Sequence, residues 1–248
     1  RFVCLGAAYH GDTVGTISLG GIDPFHSLFG GLMFPALRVP SPAQAGLTLE
    51  GCLRETEEVL TAHADRIAGF VLEPLVQAAA GILVHPPGYL RAIRELTRRL
   101  DIPLIADEIA VGFGRLGTLF ACEQEGVSPD ILILSKGLTG GYLPLAATLV
   151  TEPIYEAFLG DPWAGRTFMH GHTYTGNPLG CAVALASLRR IESRGVLENA
   201  LQIEAILRDA FAPSAWTNGM TIAVRQRGTM VGIDLRQPGT GAAWDPTL

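Results

Sequence analysis

The chain has 248 residues, of which 48% are hydrophobic and 17% are charged, and its formal net charge is −6 at pH 7. This length provides for one large domain, or one and a half ordinary ones, with a substantial buried core. The acidic balance and the absence of a run of Lys and Arg argue against a nucleic-acid-binding surface. No apolar stretch reaches the roughly 18 to 20 residues of a membrane span, so no membrane association is expected.

The chain opens on the apolar run Arg-Phe-Val-Cys-Leu, without an initiator Met or a signal-peptide pattern. We therefore expect it to be a fragment of a longer protein. Its four cysteines are scattered and form no CxxC pair. This pattern predicts buried free thiols in a reducing compartment, hence a cytoplasmic location, and no metal site.

Short apolar runs alternate with helical patterns, which is typical of α/β proteins with a mostly parallel sheet flanked by helices. Asn177 followed by Pro178 is typical of an N-cap with proline at the first helical position. The predicted strands cover residues 67–72, 102–106, 131–134 and 145–150, the predicted helices cover 87–100, 178–194 and 197–211, and a hairpin is expected from 221–227 and 229–235. We interpret residues 1–213 as a partial large domain and 214–248 as the start of an incomplete, smaller C-terminal domain.

Three polar residues come just past the ends of predicted strands: Glu73, Asp107 and Lys136. In an open parallel sheet, ligands bind at the carboxyl ends of the strands. We therefore expect these three side chains to face one crevice.

Lys136 is unusual because it is the single lysine among 18 basic residues. Arginine serves for solubility and ion pairs, but its guanidinium group does not deprotonate, so it cannot act as an amine nucleophile. A retained lysine beyond a buried strand therefore predicts Schiff-base chemistry, for which pyridoxal 5′-phosphate is the commonest cofactor. The alternative is a chance residue in an arginine-rich chain.

Asp107 is the natural partner for such a cofactor, because a carboxylate beside the pyridine nitrogen favours the protonated ring. The run LIADE at 104–108 also fits the strand that holds Mg²⁺ in ATPases. That reading needs a GxxxxGK[ST] loop, and Lys136 lies in Ser-Lys-Gly-Leu with no matching glycine before it. The sequence therefore favours Asp107 and Lys136 as the catalytic pair over a nucleotide site.

Several segments together resemble the class III (ω-type) aminotransferases of fold type I. They are AYHGDT at 8–13, GGIDPFHSLF at 20–29, EPLVQAAAG at 73–81, ADEIAVGFGR at 106–115, LSKGLTGG at 134–141 and HGHTYTGNPLGCAVA at 170–184. The resemblance covers essentially the whole chain. It implies the large domain of a fold type I pyridoxal-phosphate transferase, an aminotransferase activity, and a homodimer with a shared active site.

The resemblance also implies roles for residues near the cofactor. Tyr9 would stack on one face of the ring and Ile109 would pack on the other. His10 is expected to contact the cofactor, with a structural role in the turn as the alternative. Asp12 and Tyr9 would contact the substrate, although an acidic loop residue such as Asp12 is as easily solvated.

Two further groups follow from the resemblance. Gly171, His172 and Thr173 would reach the cofactor phosphate and the substrate from the neighbouring subunit. Glu73 and Arg115 are expected to form an ion pair at the mouth of the site, either functional or purely structural.

Within the family, the segments look most like members that aminate 8-amino-7-oxononanoate in biotin synthesis. Ala110 stands where many relatives acting on ornithine or GABA carry Gln, which favours that branch. His172 and Tyr174 look more like forms that use lysine, so the amino donor is either adenosylmethionine or lysine. The alternatives are another ω-aminotransferase acting on ornithine, GABA or a diamine, and an inactive fragment that lacks the upstream phosphate loop and the C-terminal Arg that binds carboxylate.

Overall fold

A computed structural model of the chain describes residues 1–22, 26–44, 46–212, 221–237, 240 and 242–243. The helices are α1 (Val14–Leu19), α2 (Leu49–His63), α3 (Tyr89–Arg99), α4 (Glu152–Glu156), α5 (Pro178–Ser193) and α6 (Val196–Ala210). The strands are β1 (Phe2–Leu5), β2 (Leu37–Val39), β3 (Gly69–Leu72), β4 (Val76–Gln77), β5 (Leu83–Val84), β6 (Leu104–Asp107), β7 (Ile131–Leu134), β8 (Ala147–Val150), β9 (Thr221–Arg227) and β10 (Met230–Leu235).

The main sheet has six strands in the order β2-β1-β3-β6-β7-β8. All neighbouring pairs are parallel except β7 and β8, which are antiparallel. The connection from β7 to β8 contains only the short 3₁₀ helix Lys136–Thr139, whereas a parallel return usually takes an α-helical crossover. The expected α/β architecture with a mostly parallel sheet is confirmed.

The central strands are buried on both faces. Every residue of β3 and of β6 is buried, as expected for parallel strands covered by helices. One core cluster joins these strands to α3, whose Tyr89, Leu90 and Ile93 are fully buried. A second cluster joins Phe113 and Leu138 to residues of β7 and α5. Helices therefore pack against the sheet, and the segments that follow β6 and β7 pack into the second cluster.

The predicted elements agree closely with the structure. The predicted strand 131–134 coincides with β7, and the helix predicted at 178–194 is α5. The side chain of Asn177 accepts hydrogen bonds from the backbone N–H of Leu179 at 2.9 Å and of Gly180 at 3.3 Å, so the predicted N-cap is confirmed. The predicted hairpin is the antiparallel pair of β9 and β10.

The β9–β10 hairpin contacts the main body of the chain. Arg225 donates to the carbonyl of Gly81 at 2.9 Å, and the N–H of Thr229 donates to the carbonyl of Arg115 at 2.9 Å. The predicted domain boundary after residue 213 lies outside the described residues, so the second domain stays a prediction. Among the described residues, no helix is long and apolar enough to cross a membrane.

Candidate active site

A cleft of about 460 Å³ lies at the carboxyl ends of β3, β6 and β7. Its volume falls within the range of pockets that hold small molecules and cofactors. The lining residues are Tyr9, His10, Gly11, Glu73, Ala78, Ala79, Asp107, Ile109, Ala110 and Lys136. The three polar residues expected to face one crevice therefore do so, because they follow three neighbouring parallel strands of the sheet.

Asp107 is the last residue of β6 and is buried. Its Oδ1 accepts the backbone N–H of Ile109 at 3.1 Å, and its Oδ2 lies 2.8 Å from Nδ1 of His10. An ionised carboxylate has about four acceptor positions, so these two contacts orient Asp107 and leave capacity for a further donor in the cleft.

His10 is buried beside Asp107, with its Nδ1 directed at the carboxylate. Its Nε2 is buried and has no hydrogen-bond partner among the described residues. The sequence placed His10 near the cofactor or in a structural turn. The structure shows that His10 contacts Asp107. The two residues are 97 positions apart, so the sequence pattern could not indicate this contact.

Lys136 begins the 3₁₀ helix that follows β7, and its side chain lines the cleft and is exposed. Its backbone φ is +34°, in the left-handed region that residues other than glycine rarely adopt. In the part of the chain that the structure describes, its ε-amino group has no hydrogen bond or ion pair. Backbone strain of this kind clusters at functional sites.

Glu73 follows β3 and is buried within the cleft. Its carboxylate accepts the backbone N–H of Ala78 at 2.8 Å and of Tyr9 at 3.3 Å. Burial raises the pKa of Glu73 to about 7, and these two N–H groups, together with His10, oppose the rise. Glu73 is therefore a carboxyl group that changes protonation state near neutral pH.

The predicted ion pair between Glu73 and Arg115 is wrong. Arg115 is exposed and donates to the hydroxyl of Thr229 at 3.2 Å, on the side of the molecule that faces the β9–β10 hairpin. The GFGR turn carries Arg115 away from the cleft, while Glu73 finds its partners in backbone N–H groups. Sequence spacing did not show the direction of this turn.

Tyr9 lines the cleft and donates a hydrogen bond from its hydroxyl to Oδ2 of Asp12 at 3.0 Å. Its ring is stacked on the imidazole of His26, with centroids 5.9 Å apart and an angle of 12° between the planes. His26 is buried against Gly20, where a Cβ atom would lie only 2.0 Å from the imidazole. No sequence pattern predicted this stack, and the only hint was the presence of His26 in the segment at 20–29.

The chain matches the aminotransferase class-III family over residues 1–245. It belongs to that family.

Among curated relatives, it is 54% identical over 207 residues to the adenosylmethionine-8-amino-7-oxononanoate aminotransferase of Geobacter sulfurreducens, with 79% of this chain and 46% of the relative covered. It is 47% identical over 243 residues to the protein of the same name from Aquifex aeolicus, with 94% and 53% covered. The chain thus spans about half the length of the curated relatives it matches.

Solved structures of the family superpose closely on the chain. The adenosylmethionine-8-amino-7-oxononanoate aminotransferase of Methanocaldococcus jannaschii gives a TM-score of 0.90 at 38% identity and covers 99% of this chain and 56% of its own. An amine transaminase from an uncultivated Pseudomonas species, in its PLP-bound form, gives 0.91 at 35% identity, with 100% and 58% covered. The fold inferred from the resemblance is therefore confirmed.

Three residues expected to act at the site of a neighbouring subunit lie outside the cleft of this class-III chain. Gly171, His172 and Thr173 are exposed and do not line the cleft. They belong to a turn in which the N–H of His172 donates to the hydroxyl of Thr175 at 3.0 Å. Their expected contribution to the site of a neighbouring subunit stays a prediction.

Proposed function

We propose that the full-length protein is a pyridoxal-phosphate-dependent aminotransferase whose catalytic pair is Lys136 and Asp107. The supporting observation is that both side chains line one cleft at the ends of adjacent parallel strands, although 29 positions separate them in the sequence. An unpaired primary amine and a buried carboxylate are the two groups that this cofactor chemistry requires.

The cleft residues fit the cofactor on chemical grounds. Lys136 has a free amine for covalent attachment, and Asp107 has acceptor capacity for the N–H of a protonated pyridine ring. Tyr9 and Ile109 offer an aromatic and an aliphatic surface for the two faces of that ring. When bound, the cofactor supplies an electron sink for charge that develops on a substrate carbon.

The protein groups would act as follows. The carboxylate of Asp107, held by His10 and the N–H of Ile109, would keep the proton on the ring nitrogen. The ε-amino group of Lys136, once free, would take a proton from the amine-bearing carbon of the donor and later return one to the acceptor carbon. Asp12, fixed by Tyr9, would orient the amino end of the substrate at the rim.

The proposed acceptor is 8-amino-7-oxononanoate, which yields 7,8-diaminononanoate for biotin synthesis. Support comes from relatives of 44% to 54% identity that carry the name of that aminotransferase. The proposed donor is adenosylmethionine or lysine. Another ω-aminotransferase activity, on ornithine, GABA or a diamine, is the alternative that the assay below separates.

The test uses the full-length enzyme with added pyridoxal 5′-phosphate. The wild type should develop the visible absorbance of the bound cofactor and aminate 8-amino-7-oxononanoate in preference to 2-oxoglutarate and pyruvate. Lys136→Ala should lose the band, and Lys136→Arg, which keeps the charge but has no deprotonatable amine, should lose it as well. A band that survives in both variants would refute the assignment, and a preference for the keto acids would favour the alternative activity.

We further propose a homodimer in which Gly171, His172 and Thr173 act at the neighbouring active site. Their exposure and their position outside the chain's own cleft support this arrangement. A cytoplasmic location is proposed as well, and it is supported by four free cysteines in the described part of the chain.

A further inference from the structure

Glu108 is a fully buried carboxylate next to Asp107 that does not line the cleft. Successive residues at a strand end point to opposite faces, so Asp107 faces the cleft and Glu108 faces the protein interior. The Oε2 atom of Glu108 accepts the N–H of Ala121 at 2.6 Å, and its Oε1 accepts the N–H of Cys122 at 2.8 Å. These are the first N–H groups of the 3₁₀ helix Ala121–Glu125.

The two hydrogen bonds close the segment between them, residues 109–120, which we name the clasp loop. The backbone of Glu108 fixes the start of this loop, because its N–H donates to Ile133 at 3.0 Å and its carbonyl accepts from Gly112 at 2.9 Å. A Cβ at position 112 would lie 2.9 Å from that carbonyl, so this close approach requires glycine. Glu108 therefore anchors the clasp loop at both of its ends.

The clasp loop contacts the cleft at its beginning and, further along, contacts the residue that follows Lys136. Ile109 and Ala110, at its beginning, line the cleft directly. Phe113, further along, has a left-handed φ of +57° and donates its N–H to the carbonyl of Leu119 at 2.6 Å. Its side chain packs on Gly137, where a Cβ would lie only 2.7 Å from the Cβ of Phe113. The loop thus supports the backbone of the residue that follows Lys136.

We propose that Glu108 is a positioning residue, which holds the clasp loop so that Ile109 and Lys136 keep their places in the lining of the cleft. The proposal rests on the proposed function only in taking the cleft as the active site, because the contacts of Glu108 and the clasp loop involve no cofactor. It explains why a carboxylate occupies this position. Both partners are N–H donors, and an ionised carboxylate accepts at both oxygens, whereas a glutamine side chain offers one acceptor and one donor.

The chain contains a matched control in Glu125. This carboxylate is also buried, and it also accepts two backbone N–H groups, from Gly88 at 2.7 Å and Arg91 at 2.9 Å, at the start of α3. Glu125 does not line the cleft. Replacing either glutamate by glutamine removes the same kind of interaction, so general destabilisation affects both variants alike.

The decisive experiment is amide hydrogen exchange on the full-length protein without added cofactor. Glu108→Gln should raise exchange by on the order of tenfold at Ala121 and Cys122, at Phe113 within the clasp loop, and at Leu138, whose N–H donates to Ser135 at 2.8 Å. Glu125→Gln should raise exchange at Gly88 and Arg91 and leave Phe113 and Leu138 unchanged. If Glu108→Gln does not fold, Glu108→Asp, which keeps the charge and withdraws it by one methylene, should give the same pattern at lower amplitude.

A second measurement on the cofactor-loaded enzyme connects the loop to the site. Glu108→Gln should shift the pH midpoint of the visible cofactor absorbance by at least about half a unit, because the amine of Lys136 is displaced, whereas Glu125→Gln should not. Faster exchange confined to residues 121 and 122, or equal effects of the two variants on Leu138, would overturn the proposal. A wild-type protein that takes up no cofactor would refute the proposed function instead, and the exchange pattern would still decide the role of Glu108.

Discussion

Replacing Asp107 by Asn tests the charge at the centre of the proposed site. The substitution is nearly isosteric, and both contacts of the side chain can persist. The asparagine oxygen accepts the N–H of Ile109, now made at 3.1 Å, and its amide donates to Nδ1 of His10, now 2.8 Å from the carboxylate. The fold should therefore be retained while the negative charge is lost.

The size of the effect follows from the burial of Asp107, whose exposed fraction is 5%. A carboxylate in contact with a cationic ring nitrogen would raise the pKa of that nitrogen by about 1 to 3 units, and solvent screens a buried pair weakly. At about 1.4 kcal/mol per unit, the loss amounts to roughly 1.4 to 4 kcal/mol. Turnover in Asp107→Asn should fall by roughly 10- to 1000-fold.

The assay is kcat of the full-length enzyme with saturating donor and acceptor, together with the visible cofactor band and the thermal midpoint. The band should remain, because Lys136 is intact. Asp130→Asn serves as a control: Asp130 pairs with Arg94 at 2.5 and 3.0 Å and does not line the cleft, so this variant should lose stability and keep its turnover. A kcat of Asp107→Asn within threefold of the wild type would refute the reasoning.

Three further predictions concern protonation and assembly. Burial raises the pKa of Glu73 from 4.5 to about 7. The protonated carboxyl group therefore contributes to the free energy of unfolding fully below pH 4.5, and this contribution is lost as the pH rises through about 7. Between pH 5 and 8, the free energy of unfolding of the wild type should fall by roughly 3 kcal/mol more than that of Glu73→Gln, and equal slopes in denaturant titrations would contradict this. The pKa of Asp130 is lowered because its hydrogen bonds to Arg94 and to a backbone N–H outweigh burial. Asp130→Asn should therefore be less stable than the wild type at neutral pH, and unfolding measurements at a pH below the folded-state pKa of Asp130 should show no such difference. Mixing inactive Lys136→Ala subunits with Thr173→Ala subunits should give heterodimers in which one of the two sites has both residues intact. The activity of the mixture should therefore rise to about a quarter of the wild-type activity, whereas no recovery of activity would exclude a shared site.

Periodicity and strand-end chemistry were sufficient to predict the parallel sheet and the shared cleft. The position of β7, the N-cap at Asn177 and the hairpin of β9 and β10 all depend on local backbone preferences. Because the carboxyl ends of parallel strands meet at one edge, the sequence also predicted that Glu73, Asp107 and Lys136 would meet. These features follow from short-range rules that a single sequence contains.

The partners of those residues depended on long-range packing. The sequence predicted an ion pair between Glu73 and Arg115. The turn at 112–115 instead directs Arg115 towards Thr229, and backbone N–H groups donate to the carboxylate of Glu73. Likewise, the contact of His10 with Asp107 joins two segments that only the order of the strands brings together.

The sequence by itself determined which chemical groups the chain possesses and on which strand ends they lie. The tertiary structure decided what each group contacts: Glu108, next to Asp107 in the sequence, faces the interior and closes a loop, and Phe113 of that loop packs on Gly137, the residue after Lys136. The physical reason is that strand geometry is fixed by local sterics and alternation, whereas the path of a loop is fixed by distant N–H groups and side chains that close on it.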